Sequence, residues 1–400
     1  MAEARTGEIR PLTSLRFIAA LLVFLHHFVP FETPPGILKT IAEQGNMGVS
    51  MFFTLSGFLI ALIYLPRFEA NGLTWAYLRK FFNKRFARVY PLYAAIALLS
   101  LVLDDEKTVN GVTGVIHVTL TQSYFLTLPV QLVPTAWSLS VEIGFYLLAP
   151  LVLAGMVWGW GRLGDGWRGV AGVAVVLGIM TVALLALGIG LRAFSVANGW
   201  STWRGYGFMP SAGMAIEWTI FGRFAEFAVG MFVAVIYSRT TWLHALYEGQ
   251  RGMLLSSLLT VIASGGMLYG FHIATITKAT QVEETLYAYF VFTAVCTAAL
   301  IVSLISTTNP FARLLAWEPF VYLGHISYAL YLVQMTILMD LARLPLLALL
   351  GAAAPLWLYL PLLYLGGNAV SAVLYEWVEV PARRWLLSPR SKTTEQQPAT

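Results

Sequence analysis

The chain has 400 residues, of which 58% are hydrophobic and 11% charged, with a net charge of +5. A soluble domain carries about 25% charge, so this chain has too little polar surface to cover a globule, and most of it must face lipid. The single Cys296 excludes an internal disulfide framework, and the basic residues gather at the ends of apolar runs, as membrane topology requires, rather than forming a nucleic-acid surface.

A helix crosses a bilayer with about 20 mostly apolar residues. Ten segments qualify in chain order: 12–31, 46–66, 82–103, 136–160, 169–192, 215–238, 252–272, 284–307, 320–342 and 355–380. The expected fold is therefore all-α, a polytopic membrane bundle of about ten transmembrane helices. Segment 112–130 is a weaker apolar stretch holding His117, Gln122 and Pro129, and reads as re-entrant or interfacial. Met1 to Arg10 mixes acids and bases, and the run after it has no small-x-small cleavage pattern, so it reads as a retained first span. Placing the N-terminus in the cytoplasm puts 18 of the 25 basic residues inside and 6 outside, with Arg223 within a span. That asymmetry favours both termini in the cytoplasm. Residues 1–387 read as one membrane domain, and 388–400 as a polar, disordered cytoplasmic tail.

Charges and titratable groups are costly in hydrocarbon and mark function there. The first span holds Arg16 near its inner end and His27 eleven residues on, about 16 Å along the helix. His26 points about 100° away from His27, so the two cannot easily share a partner. Either ring could equally be a core residue satisfied by a neighbouring helix. The second span enters from outside with Asn46 and Ser50 near the depth of His27, and its Gly48 and Gly57 permit close helix approach. At the inner mouth of the third span, Arg85 and Arg88 share a helix face. Two guanidiniums there suit phosphates, although snorkelling to headgroups would also place them.

The fourth span carries Trp137, Ser138 and, about two turns deep, Glu142. An isolated carboxylate there must neutralise or find a cation, and His27 at a compatible depth is the expected partner. Arg223 and Glu226 form an i,i+3 pair in the sixth span and read as a structural ion pair. His325 opens the ninth span, and Gln334 lies in its outer half.

Taken together, these stretches resemble the membrane acyltransferase-3 family of ten-span O-acyltransferases. The resemblance rests on Arg16 and His27 with ten residues between, Phe52-Phe53-Thr54-Leu55-Ser56-Gly57-Phe58, and Arg85-x-x-Arg88 leading to Tyr90-Pro91-Leu92-Tyr93. It continues through Trp137-Ser138-Leu139-x-x-Glu142-x-x-Phe145-Tyr146, Glu226-Phe227-x-x-Gly230, Ile326-Ser327-Tyr328-x-x-Tyr331-Leu332 and Val378-Glu379-x-Pro381. It departs at Gln334, where many members have a histidine, and at Thr13-Ser14-Leu15, where Leu-Asp is usual before the arginine.

The resemblance implies transfer of an acyl group, often acetyl, from a cytoplasmic acyl-CoA to a hydroxyl, with no metal. The acceptor would be a cell-envelope carbohydrate, a lipid-linked sugar or a secondary metabolite, and the location a bacterial inner membrane. By analogy His27 is the base, and Arg16, Arg85 and Arg88 serve the donor. Glu142 is expected to orient the imidazole, as the acid does in a hydrolase triad. Ser138, Asn46 or Trp137 could donate to the oxyanion, with Ser50 and Gln334 as further substrate contacts. Direct transfer and an acyl-histidine intermediate both stay open. The rival readings are a transporter or flippase and a non-catalytic bundle that helps assemble a polysaccharide complex.

Overall fold

The computed structural model describes residues 8–30, 33–103, 109–125, 132–241, 243, 247–278, 283–350 and 355–388. Most of the expected tail therefore lies outside the described residues. Among the described residues, ten helical stretches are long and apolar enough to cross a membrane, and each overlaps one of the ten segments named above. They are built on α1 (Arg10–Phe28), α2 (Gly48–Asn71), α3 (Trp75–Leu103), α4 (Trp137–Leu163) and α5 (Trp167–Ala197). The second half comprises α6 (Ile220–Arg239), α7 (Gly249–Thr277), α8 (Glu283–Ile305), α9 (Glu318–Val333) and α10 (Leu356–Leu374). The last two continue as π-helices, Gln334–Ala342 after α9 and Tyr375–Glu379 after α10, the latter leading into a final turn Val380–Leu387.

Burial sorts the helices into a centre and a rim. The Ala212–Arg239 stretch around α6 is 78% buried, against 28% for those of α5 and α7. Leu98 and Val102 on α3, Ile179 and Val182 on α5, and Val261 and Ile262 on α7 stand exposed. An apolar rim of this extent is a lipid-facing surface.

At the centre, α2 and α6 make the most extensive helix pairing. Small residues allow it. A Cβ on Gly57 would run into the backbone carbonyl of Phe227, and one on Gly230 into that of Thr54. Bare backbone on both helices lets them touch directly, a common device of membrane bundles. Phe53 and Phe145 flank the seam by stacking on Phe227, with ring centroids 4.7 and 4.1 Å away.

The start of α1 is tied to α9. Arg10 pairs with Glu318, and His325 Nε2 lies 2.6 Å from Glu8 Oε1. Burial alone would push the Glu8 carboxyl up, but hydrogen bonds from His325 and Thr13, with the charges of His325 and Arg10, outweigh it and hold it below its ordinary value.

The segment predicted to be re-entrant or interfacial forms a helix over Gly111–Val118, capped by an Asn110–Thr113 box. At eight residues it spans about 12 Å and cannot cross a bilayer. The Tyr93 hydroxyl fixes it by donating to the His117 carbonyl at 3.0 Å.

Candidate active site

Both ends of α1 carry polar clusters, and the sequence-predicted residues divide between them. The face where α1 begins is the terminal face.

On the terminal face, Arg16 is partly buried. Its guanidinium lies 5.9 Å from the centroid of Phe52, and its Nε has no hydrogen-bond partner. Arg88, Glu142, Tyr146 and Glu379 all act on it electrostatically. Arg85 donates to the Tyr64 hydroxyl at 3.0 Å and packs over the rings of Tyr64 and Tyr146, 5.3 and 5.6 Å from their centroids. Its Nε is likewise buried without a partner. Arg88 pairs with Glu379 at 2.7 Å. Glu142 accepts from Ser56 at 3.3 Å and from the hydroxyl of Tyr146. Three formal positive charges thus meet two negative ones in a partly buried site. The excess, and the two unpaired guanidinium N–H groups, suit an anion.

At the opposite end the two imidazoles meet uncharged partners. His27 Nδ1 lies 2.9 Å from Gln334 Oε1, and Gln334 Nε2 approaches the Ala20 carbonyl at 3.5 Å. His26 turns away and places Nδ1 2.8 Å from the Ala42 carbonyl. The two imidazole centroids are 5.5 Å apart. Near by on α9, Tyr331 Oη lies 2.7 Å from Ser138 Oγ and 2.9 Å from the Thr135 carbonyl. A cavity of about 320 Å³ opens beside His26, walled also by Lys39, Glu43, Gln44, Thr275 and Lys278. The Oε1 of Gln44 is buried there without a partner.

The expected pairing of His27 with Glu142 is not formed, and the reason is depth. His27 is the penultimate residue of α1, whereas Glu142 lies eight residues beyond the start of its stretch at Pro134. That is about 12 Å inward at the helical rise. Glu142 therefore reaches Ser56 and the field of Arg16, at the other end of α1, and Gln334 takes the place beside the imidazole.

Two of the expected substrate contacts are also committed elsewhere. Ser50 accepts from Arg223 at 3.1 Å, inside the fully buried Arg223–Glu226 pair, whose charged atoms are 2.7 Å apart. Trp137 stacks on Trp218 at 6.3 Å and lies under the Arg223 guanidinium at 5.9 Å. Arg223 itself packs 3.6 Å from the centroid of Phe290, which fits the structural ion pair read from the sequence. Asn46 keeps a buried Oδ1 with no partner, and Ser138 spends its hydroxyl hydrogen on Thr135 at 3.1 Å.

Sequence reasoning missed Tyr64 as a partner of Arg85, Tyr146 as a partner of Glu142 and Glu379 as a partner of Arg88. The i,i+4 spacing of Glu142 and Tyr146 was a usable signal. The other two contacts join residues on separate helices.

The profile of the family described as "Acyltransferase domain" matches residues 11–376. The acyltransferase MdmB of Streptomyces mycarofaciens is 32% identical over 161 residues, covering 37% of this chain and 40% of its own length. An uncharacterised protein of Haemophilus influenzae is 31% identical over 120 residues, 26% of this chain and 48% of its own. A Staphylococcus aureus protein provisionally named an O-acetyltransferase is 24% identical over 156 residues, 36% of this chain and 24% of its own. The chain thus spans less than half the length of these relatives. No solved structure matches.

Proposed function

We propose a function from one premise: the chain belongs to the acyltransferase-3 family, and is an integral membrane acyltransferase. Its donor is an acyl-CoA, in the first instance acetyl-CoA, and its acceptor a hydroxyl of a cell-envelope carbohydrate, lipid-linked sugar or secondary metabolite. The terminal face is cytoplasmic, and the membrane is the inner membrane of a bacterium.

One observation carries this reading. A single helix joins a positively charged anion site at Arg16 to a neutral imidazole at His27, eleven residues and about 16 Å away. A thioester that carries phosphates at one end and a reactive carbonyl at the other needs such a separation. Arg16 and Arg85 offer unpaired N–H groups to the donor's anionic end. Arg88 and Glu379 brace that end, and Glu142 holds Arg16 by charge rather than acting on the base.

At the other end His27 accepts the proton of the acceptor hydroxyl as that oxygen bonds to the thioester carbonyl carbon. The carbon–sulfur bond then breaks, and the imidazolium returns the proton to the sulfur, leaving an ester and a free thiol. The cavity beside His26 gives the acceptor an approach from the opposite face.

The test is release of free coenzyme A from acetyl-CoA by the purified protein in nanodiscs, with and without an extract of bacterial envelope glycolipids. Acceptor-dependent release that His27→Ala abolishes is expected. A transporter would release no thiol, and normal release by His27→Ala would end the general-base proposal.

A further inference from the structure

We infer that Gln334 is a positioning residue that fixes the neutral ring of His27 with its hydrogen on Nδ1, so that Nε2 is the nitrogen that takes the acceptor's proton. This deepens the transfer reaction proposed above and rests on it.

The two ends of the Gln334 amide differ in what they can bind. A side-chain amide can hold an imidazole in either tautomer, because its oxygen only accepts and its nitrogen only donates. Which end faces the ring decides the matter. Gln334 Nε2 points at the Ala20 carbonyl at 3.5 Å, which can only accept. Turning the amide over would set two oxygens against each other there and lose that contact. Oε1 therefore faces His27, 2.9 Å from Nδ1, and the hydrogen of that contact belongs to the ring. The lone pair is left on Nε2.

Packing makes the arrangement strict. Gln334 is 0% exposed, so water does not compete for its oxygen. Ala20 and His27 are seven residues apart on α1, two turns along one face, and the amide bridges them. Gln334 also opens the π-helix Gln334–Ala342, where the α-helical register of α9 ends. A π-turn re-aims the side chains around it, and such turns recur at functional sites.

The chemistry explains why an amide serves. A carboxylate beside the ring would favour the imidazolium, which has no lone pair to offer. Glu142 is tied to Ser56 and Tyr146 instead. The neutral amide orients the ring and adds no charge, so His27 meets the acceptor as a free base.

The experiment joins a spectroscopic signature to a kinetic split. The protein, labelled with ¹⁵N-histidine in nanodiscs, has six histidines, and loss of a signal in His27→Ala assigns the one of interest. The wild type is expected to show a protonated Nδ1 and an unprotonated Nε2. Gln334→Leu is expected to mix the two tautomers and lower kcat about 100-fold, the low end of general-base effects. Its KM for acetyl-CoA should stay within about twofold, because the donor's anionic end is held elsewhere. Gln334→Glu sets a carboxylate beside the ring and favours the imidazolium, so its kcat should rise toward the wild-type value only at higher pH than in the wild type. A wild-type ring protonated on Nε2 overturns the inference, as does a Gln334→Leu protein with unaltered tautomer and kcat. So does a Gln334→Glu protein whose kcat keeps the wild-type pH profile. Full transfer by His27→Ala would instead overturn the reaction itself, and the tautomer assignment would stand apart from it.

Discussion

At the Arg16 end of α1, three guanidiniums from two helices meet two carboxylates from two others. At the His27 end, the ring meets an amide and its neighbour meets a backbone carbonyl. One helix thus separates a charged cluster from an imidazole held by an uncharged amide. Enzymes that must grip an anion and keep a base unprotonated face a conflict, since each demand spoils the other at close range. Distance along a membrane helix eases it, because the Coulomb interaction at about 16 Å is about a quarter of that at 4 Å in the same medium.

Variants at the two ends should therefore fail differently. His27→Ala is expected to lose about 10²- to 10⁴-fold in kcat while its affinity for acetyl-CoA, read by equilibrium binding, is unchanged. Arg16→Met should do the reverse and weaken acetyl-CoA binding first. Equal loss of both quantities in either variant would break the division between the ends.

The next effect is on stability. Glu379→Leu leaves Arg88 without its carboxylate and should destabilise the protein by about 3 kcal/mol, seen as a lower unfolding temperature in detergent. Adding Arg88→Met should recover most of that, since removing both charges removes the orphan. A double variant as unstable as the single one would assign the loss to packing.

At the neutral end the stakes are smaller. Tyr331→Phe removes contacts to Thr135 and Ser138 and should cost about 1 kcal/mol of stability.

The smallest effect concerns Glu8. Its carboxyl is held below its ordinary value, so the contact with His325 stabilises the fold above the ordinary carboxylate range and is lost as pH falls through the lowered value. Both side chains are partly exposed, and the contribution at neutral pH should be under about 1 kcal/mol. The difference in unfolding temperature between wild type and Glu8→Gln should vanish in acid; a difference that persists there would assign it to something other than charge.

The ten crossings were legible because hydrocarbon imposes length and apolarity on each one separately, and no long-range information is needed to read them. Arg16, His27, Glu142 and the Arg85–Arg88 pair stood out for the same reason, as costly groups in apolar surroundings. Their partners did not stand out. Placing Glu142 opposite His27 required the axial offset of two helices more than a hundred residues apart, and counting from the edge of an apolar run misjudges that by turns. Gln334 was visible as a polar residue at the right depth, but its bond to His27 depends on the helix register where α9 turns π-helical, which no local pattern encodes. The Arg223–Glu226 pair was read correctly because both members lie one turn apart on a single helix.

The glycine contact between α2 and α6 has a mechanical consequence. Two backbones with nothing between them cannot slide, because a step of one residue drives a side chain into a carbonyl. These two helices form a keel. In the proposed reaction, an opening that admits the acceptor and lets its ester depart would come from planks that flex against that keel, and α7, with so much of its surface exposed, is the plank that borders the His26 cavity.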